Sequence, residues 1–317
     1  MKKGFFARIP VLLFVICLVL MLYITRMFWK TIDNKIADVH RQQGHQTNSS
    51  HSLALVKTDT ILRGVKGTRP TSNIGFLHLV IQFPLLSNAS SNDTAFVRER
   101  QLEYIQTLQI NLAHPLVKRV HILCEDDQAM RFIKHHFKLN AQKIILKNIG
   151  HQLLYSDSLA YVSKQLLFET CIIMHADIYI GKGFERLDPN ILKQGTIYAL
   201  TRHEDREQMK ACPGLEDFCD TPFRGSHDAF VMHLVRPLPD EVLSKMNYRP
   251  NLAGAENVFI YMLETYGHFR FKNPCSILYI IHNQCRTGRD MKHRLVEGQR
   301  LESYLKVPGR SAGFSGL

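Results

Sequence analysis

Between residues 75 and 180 the chain alternates uniformly apolar stretches with amphipathic ones, and this alternation limits its possible folds more than any other feature. FLHLVIQF (76–83), VKRVHILCE (117–125), 143–147 and 170–180 read as strands from their aliphatic and aromatic content. Residues 96–112 carry Val97, Leu102, Ile105, Leu108 and Leu112 at helical spacing and stop before His114-Pro115. Residues 128–137 and 159–168 read as two further helices. Strands that are apolar on both faces and separated by helices specify an α/β fold, with a mostly parallel, Rossmann-like sheet covered on both sides. With 45% hydrophobic and 21% charged residues, the 317-residue chain can bury such a core.

A second constraint lies ahead of that region. Residues 9–24 (IPVLLFVICLVLMLYI) are uncharged and almost wholly apolar, with Lys2, Lys3 and Arg8 before them. Sixteen residues at about 1.5 Å each reach roughly 24 Å, and Met27, Phe28 and Trp29 extend the run. A cleaved signal peptide is the alternative, but no small-x-small cleavage site follows. The flanking charge lies mainly on the N-terminal side, and Tyr23 and Trp29 suit a membrane interface. The expected arrangement is a cytosolic tail at 1–8, a transmembrane signal anchor at 9–29 and a lumenal body. Such a chain would be a single-pass type II protein of the Golgi or endoplasmic reticulum membrane; a span this short suits a thin bilayer.

Three glycosylation triplets, at Asn48, Asn88 and Asn92, agree with a lumenal body. Six cysteines beyond Cys17 could pair in an oxidising compartment; the alternative is a set of buried reduced thiols. Cys212 with Cys219 is the expected disulfide, because Pro213-Gly214 between them favours a turn. The surplus of 40 Lys+Arg over 28 Asp+Glu, +12 net, suits an anionic substrate or surface. Lumenal residence removes nucleic acid as a partner. Residues 30–74, polar and without periodicity, read as a stem; 75–305 read as the folded domain and 306–317 as a disordered tail.

Four positions could carry chemistry. In open α/β sheets ligands bind beyond the carboxyl ends of the strands. The strand in CIIMHADIYIG (171–181) runs into Asp177, where a carboxylate could hold a divalent cation against a diphosphate; the alternative is a turn into Gly181. Arg224 to Met232 repeats the pattern in reverse, with Asp228 at the mouth of an apolar run. Glu256 and Asn257 open an amphipathic helix, where Glu256 could equally serve the helix dipole. His282 ends the last apolar run. Cys212 and Cys219 with His203 and His227 could be drawn as a zinc set, against which the disulfide is favoured. Residues 202–207 (RHEDRE) read as a solvated loop that could overlie the site.

Taken in order, these elements resemble the nucleotide-diphospho-sugar transferase-like group with the GT-A glycosyltransferase fold. The likeness rests on Arg100-Gln101-Leu102-Glu103, Asn111-Leu112-Ala113-His114-Pro115, Arg119 to Asp126, IIMHADIYIG, Ser226-His227-Asp228-Ala229-Phe230, Gly254-Ala255-Glu256-Asn257, and Asn273-Pro274 through His282. It spans roughly residues 75–290. His175 stands where the family has a polar Asn, and Asp177 alone supplies the acidic motif. The resemblance implies a transferase moving a sugar from a nucleotide sugar to a glycan or glycoprotein, with Mn²⁺ or Mg²⁺. It implies that Asp177, His175 and Asn257 bind the donor, Asp177 and His282 meet the metal, Asp228 lines the pocket and Glu256 is the general base. A catalytically silent relative, binding glycans or scaffolding Golgi enzymes, is the alternative that the single acidic residue favours.

Overall fold

A computed structural model describes residues 75–86, 94–205, 216–219, 226–284 and 291–317. The anchor, the stem, Cys212 and all three glycosylation triplets' asparagines lie outside them. Among the described residues no helix is long and apolar enough to cross a membrane.

Strand β1 (Leu77–Gln82) leads to helix α1 (Thr94–Ala113), β2 (Val117–Cys124), α2 (Asp127–His136) and β3 (Ile144–Asn148). Then come α3 (Tyr155–Gln165), β4 (Thr170–Met174), β5 (Ile178–Ile180), β6 (Thr196–Leu200), β7 (His203–Glu204) and β8 (Ala229–His233). Helix α4 (Ala255–Thr265), β9 (Arg270–Lys272) and β10 (Ile280–His282) follow. The large sheet has the order β3-β2-β1-β4-β8-β6-β9, and β8 alone runs against its neighbours. The expected α/β class with a mostly parallel sheet is what forms.

Both faces of the central strands β1, β4, β8 and β6 are buried, which is why these strands are mostly apolar, whereas the edge strands β3 and β9 are partly exposed and carry polar residues. Cys171 and Ile173 of β4, with Phe230 and Met232 of β8, pack under Leu159 and Val162 of α3 and Phe259 and Met262 of α4. Ile172, Met174, Ala229 and Val231 face the other way, against Leu108 and Leu112 of α1 and Ile133 of α2.

The single strand expected at 170–180 is two strands in two sheets. After Met174 the chain turns through His175-Ala176-Asp177, and β5 joins a small sheet of order β5-β10-β7. A polar ring and a carboxylate cannot continue between two apolar layers, so the chain leaves the large sheet where they occur. Asn111 of α1 fixes the new course: its Nδ2 donates to the Ile178 carbonyl and its Oδ1 accepts from Ile180 N–H, both at 3.0 Å.

Two other expectations change. Cys219 pairs with Cys275, not with Cys212. The cause lies in His203, whose ring binds Asp217 and the Cys275 carbonyl at 2.9 Å each, bringing the two cysteine segments together. Residues 306–317 are not disordered but lie along the end of β9. Asn273 and Ser315 exchange backbone and hydroxyl hydrogen bonds at 3.0 Å, and Ala312 is buried.

His227 ties that tail to the core. Its Nδ1–H donates to the Ala199 carbonyl at 3.0 Å and its Nε2 accepts from Ala312 N–H at 3.1 Å, so the native ring is neutral. Burial pushes its pKa down to about 4, the Asp228 charge offsetting only part of this. Between pH 6.5 and 4 the unfolded chain binds a proton that the native ring refuses. This contribution is complete above pH 6.5 and lost as pH falls toward 4, by about 3 kcal/mol at most. Urea midpoints should fall from pH 7.5 to 4.5, and His227→Gln should flatten that slope.

Candidate functional site

Every element that ends near the exit of β4 delivers a charged side chain there. The β10–β7 register sets His282 opposite Glu204, and the β10–β5 register sets it opposite Ile178, next to Asp177. Strand β8 enters antiparallel beside β4, so its first neighbour, Asp228, lies at the same end as the exit of β4. Its carbonyl accepts from His175 N–H.

These groups form a sequence of alternating charge. Arg100 of α1 donates to Glu103 at 2.6 Å, to the Tyr104 hydroxyl at 3.1 Å, and to Asp177. His282 Nε2 is 3.4 Å from the same Asp177 oxygen, and its Nδ1–H donates to Glu204 at 3.0 Å. Arg202 donates to Glu204 at 2.9 Å and to Asp228 at 3.0 Å. His175 Nδ1 is 3.7 Å from Asp228, and its Nε2 is 4.0 Å from Glu256. Asp177, Glu204, Asp228 and His282 are all buried.

Burial and pairing together set the proton affinities of Asp228, His282 and Glu256. Burial would raise the Asp228 pKa, but the Arg202 guanidinium, with His175 and His282, holds it below the usual carboxylate range. Burial alone would lower His282; its bonds to Asp177 and Glu204 outweigh this and raise it, which fits a ring donating from both nitrogens. Both arginines are likewise raised by their carboxylates against the effect of burial. At Glu256 burial, then the Asp228 charge, outweighs Arg294 and Arg202 and pushes the carboxyl up to about 7.

A cavity of about 630 Å³ opens over the carboxyl ends of β1, β2 and β4. Val80, Leu153, Tyr155, Ile173 and Phe230 give it an apolar interior. Gln82 and Glu125, joined by a hydrogen bond, stand on one part of its wall; Arg100, His175, Asp177 and Asp228 form another.

Of the residues selected from sequence, His175, Asp177 and Asp228 therefore meet at the cavity. Glu256 and His282 lie one side chain behind it. Asn257 does not line it: its Nδ2 donates to the Arg310 carbonyl at 2.9 Å, against the tail. Gly254, ahead of Glu256, has φ +85, and a Cβ there would strike the Glu302 carboxylate. Sequence reasoning missed Arg202 and Glu204, because RHEDRE was taken for a solvated loop. Arg202 and Glu204 are instead mostly buried beside Asp228 and His282. The available signal was their position directly after the apolar strand TIYAL, the same setting as Asp177.

The described residues do not fit the expected divalent cation. Asp177 and His282 are two donors, and Arg100 occupies the same carboxylate oxygen. Among the described residues, the one triplet able to converge on an ion is His203, Cys219 and Cys275, and its cysteines are joined in a disulfide.

No protein-family model matches the chain, and no curated protein sequence does. Among solved structures, the chain is similar to S. aureus TarS 1-349 in complex with UDP-GlcNAc, at 12% identity and a TM-score of 0.41. That alignment covers 69% of this chain and 61% of TarS 1-349, so the chain spans about three fifths of it. The inositol-1-phosphate CTP transferase from T. maritima aligns at 10% identity over 66% of this chain and 89% of that one, with a TM-score of 0.36. HddC from Yersinia pseudotuberculosis aligns at 10% identity over 73% and 97%, with a TM-score of 0.31. These likenesses are too slight to bear on the chemistry, which rests on the geometry above.

Arg202 neutralises two buried carboxylates at once. Removing one partner from a buried ion pair typically costs about 3–5 kcal/mol. Arg202→Ala is therefore expected to lower unfolding free energy by about that amount in urea titrations. Arg202→Lys, which keeps the charge but cannot reach both carboxylates as a fork, should lose less.

Proposed function

We propose that this chain is a glycosyltransferase of the secretory pathway. It would take a sugar from a nucleotide-sugar donor to a hydroxyl of a glycan or glycoprotein. The observation that carries this reading is a carboxyl with a pKa of about 7, Glu256, set 4.0 Å behind His175 at the wall of a large cavity over parallel strand ends. Such a group is half ionised at neutral pH, where a general base is most effective.

In this reaction the acceptor oxygen attacks the anomeric carbon. Its proton passes to the His175–Glu256 pair. The bond from the anomeric carbon to the diphosphate breaks, and the nucleoside diphosphate leaves with the electron pair. A single displacement of this kind inverts the anomeric configuration. Asp228 lies 3.7 Å from the other nitrogen of His175, and its carbonyl accepts from the His175 backbone N–H. The apolar interior of the cavity excludes water, which would otherwise compete as acceptor.

The cellular setting belongs to the same proposal. Residues 9–29 would anchor the chain as a type II protein of the Golgi membrane, with the domain in the lumen. The Cys219–Cys275 disulfide supports an oxidising compartment. A second reading, a silent glycan-binding or scaffolding protein, is favoured by one observation: Asp177, Glu204 and Asp228 each already have a cationic partner within the protein.

Two measurements test these statements. With a panel of nucleotide sugars and glycan acceptors, transfer should rise as pH climbs through about 7, because Glu256 must lose its proton to act. Glu256→Gln should cut the rate roughly 10²-fold or more and abolish that acidic limb. A folded Glu256→Gln variant with the wild-type rate would remove Glu256 from the mechanism. For the cellular setting, full-length chain from secretory-competent cells should drop in apparent mass on N-glycan removal. Replacing Asn88 and Asn92 together should reduce that drop.

A further inference from the structure

A guanidinium stands at the cavity wall beside the end of β4. Arg100 reaches the cavity from α1, with its side chain 11% exposed, and meets Asp177 from 77 residues upstream. An arginine has five N–H donors. The Arg100 Nε–H is given to Tyr104, one Nη1–H to Glu103 and one Nη2–H to Asp177. One N–H remains on each terminal nitrogen, and a guanidinium with donors to spare can bind phosphate oxygens.

The same contacts disfavour a metal there. A divalent ion on Asp177 would lie beside a permanently charged guanidinium, at a separation where like charges repel strongly in a buried site. Expelling Arg100 would take the guanidinium from both Glu103 and Asp177. Two further contacts hold the arrangement in place: the Tyr104 ring lies 4.5 Å from the Arg100 Cζ, and His282 closes the far side of Asp177.

We propose that Arg100, held by Asp177, Glu103 and Tyr104, binds the diphosphate of the donor directly and that binding needs no divalent cation. Asp177 then serves as the anchor of an arginine rather than as a metal ligand. The leaving nucleoside diphosphate gains negative charge as its bond to the sugar breaks, and a fixed guanidinium stabilises that charge without reorganising. This inference rests on the reading that the cavity takes a nucleoside diphosphate.

The test is binding of UDP, GDP, CDP and ADP to the detergent-solubilised full chain, by calorimetry and thermal shift, in EDTA and in MnCl₂. The expected result is that at least one nucleotide binds in EDTA and raises the melting temperature, with affinity changed less than about twofold by Mn²⁺. Arg100→Gln should weaken that binding about tenfold or more, the scale of a charge-assisted hydrogen bond, and Arg100→Lys should lose less. Binding seen only with Mn²⁺ would overturn the metal-free role and leave the nucleotide reading standing. Binding in neither condition would overturn the nucleotide reading, and this inference with it. Wild-type affinity in a folded Arg100→Gln variant would remove Arg100 alone. The comparison of EDTA with Mn²⁺ uses unaltered protein, so it stands even where a variant fails to fold.

Discussion

Buried charge dictates how the elements of this domain meet. Asp177, Glu204 and Asp228 are withdrawn from water at one end of the sheet, where an unpaired carboxylate would cost several kcal/mol. Arg100, His282 and Arg202 compensate them only if α1, the β4–β5 turn, β7, β10 and the start of β8 arrive in one register. A one-residue slip of β10 against β7 would turn His282 to the other face and leave Glu204 held by Arg202 alone. The small sheet is thus the frame of an ion network, and its short strands need no large core of their own.

The network also distributes protons unevenly, and that unevenness is what gives the site chemical potential. Asp228, in contact with Arg202, is held below the usual carboxylate range. Glu256 sits at the end of the series, where its neighbour is a histidine at 4.0 Å and the negative Asp228 outweighs the influence of Arg294 and Arg202. Two carboxyls in one cluster thereby differ in proton affinity because Asp228 is directly ion-paired with Arg202, whereas burial and the Asp228 charge dominate at Glu256. Strand and helix geometry supplies this difference: Asp228 borders Arg202 through the β6–β8 pairing, whereas Glu256 is carried in on the first turn of α4.

The large sheet was legible because burial on both faces leaves a local mark, namely unbroken apolar runs separated by amphipathic ones. Elements confined to that pattern were located within a few residues. What failed depended on distant partners. Residues 178–180 are as apolar as 171–174, so nothing local marks the change of sheet; the cause is a carboxamide at position 111 and a strand at 280–282. Cys219 has a convenient neighbour in Cys212, but its partner is chosen by what His203 holds together across 72 residues. The tail looked unstructured because Gly, Ser and Pro carry no periodicity, yet backbone groups of Asn273 and the ring of His227 satisfy it. Asp177, Asp228 and Glu256 were found as strand-exit and helix-start acids; Arg202 and Glu204 were passed over because charge was equated with exposure.

A carboxylate at the exit of a buried strand has two physical solutions, a cation from solution or a cation from the chain. They are indistinguishable at the strand itself, since each asks only for an oxygen that leaves the apolar layers at the ligand end of the sheet. The difference lies in whether another element can place a guanidinium at that oxygen. Helix α1 does so because Arg100 is braced by Glu103 and Tyr104 one turn along, the i, i+3 and i, i+4 positions that share its face. The meaning of Asp177 is therefore set by three residues on a helix far upstream.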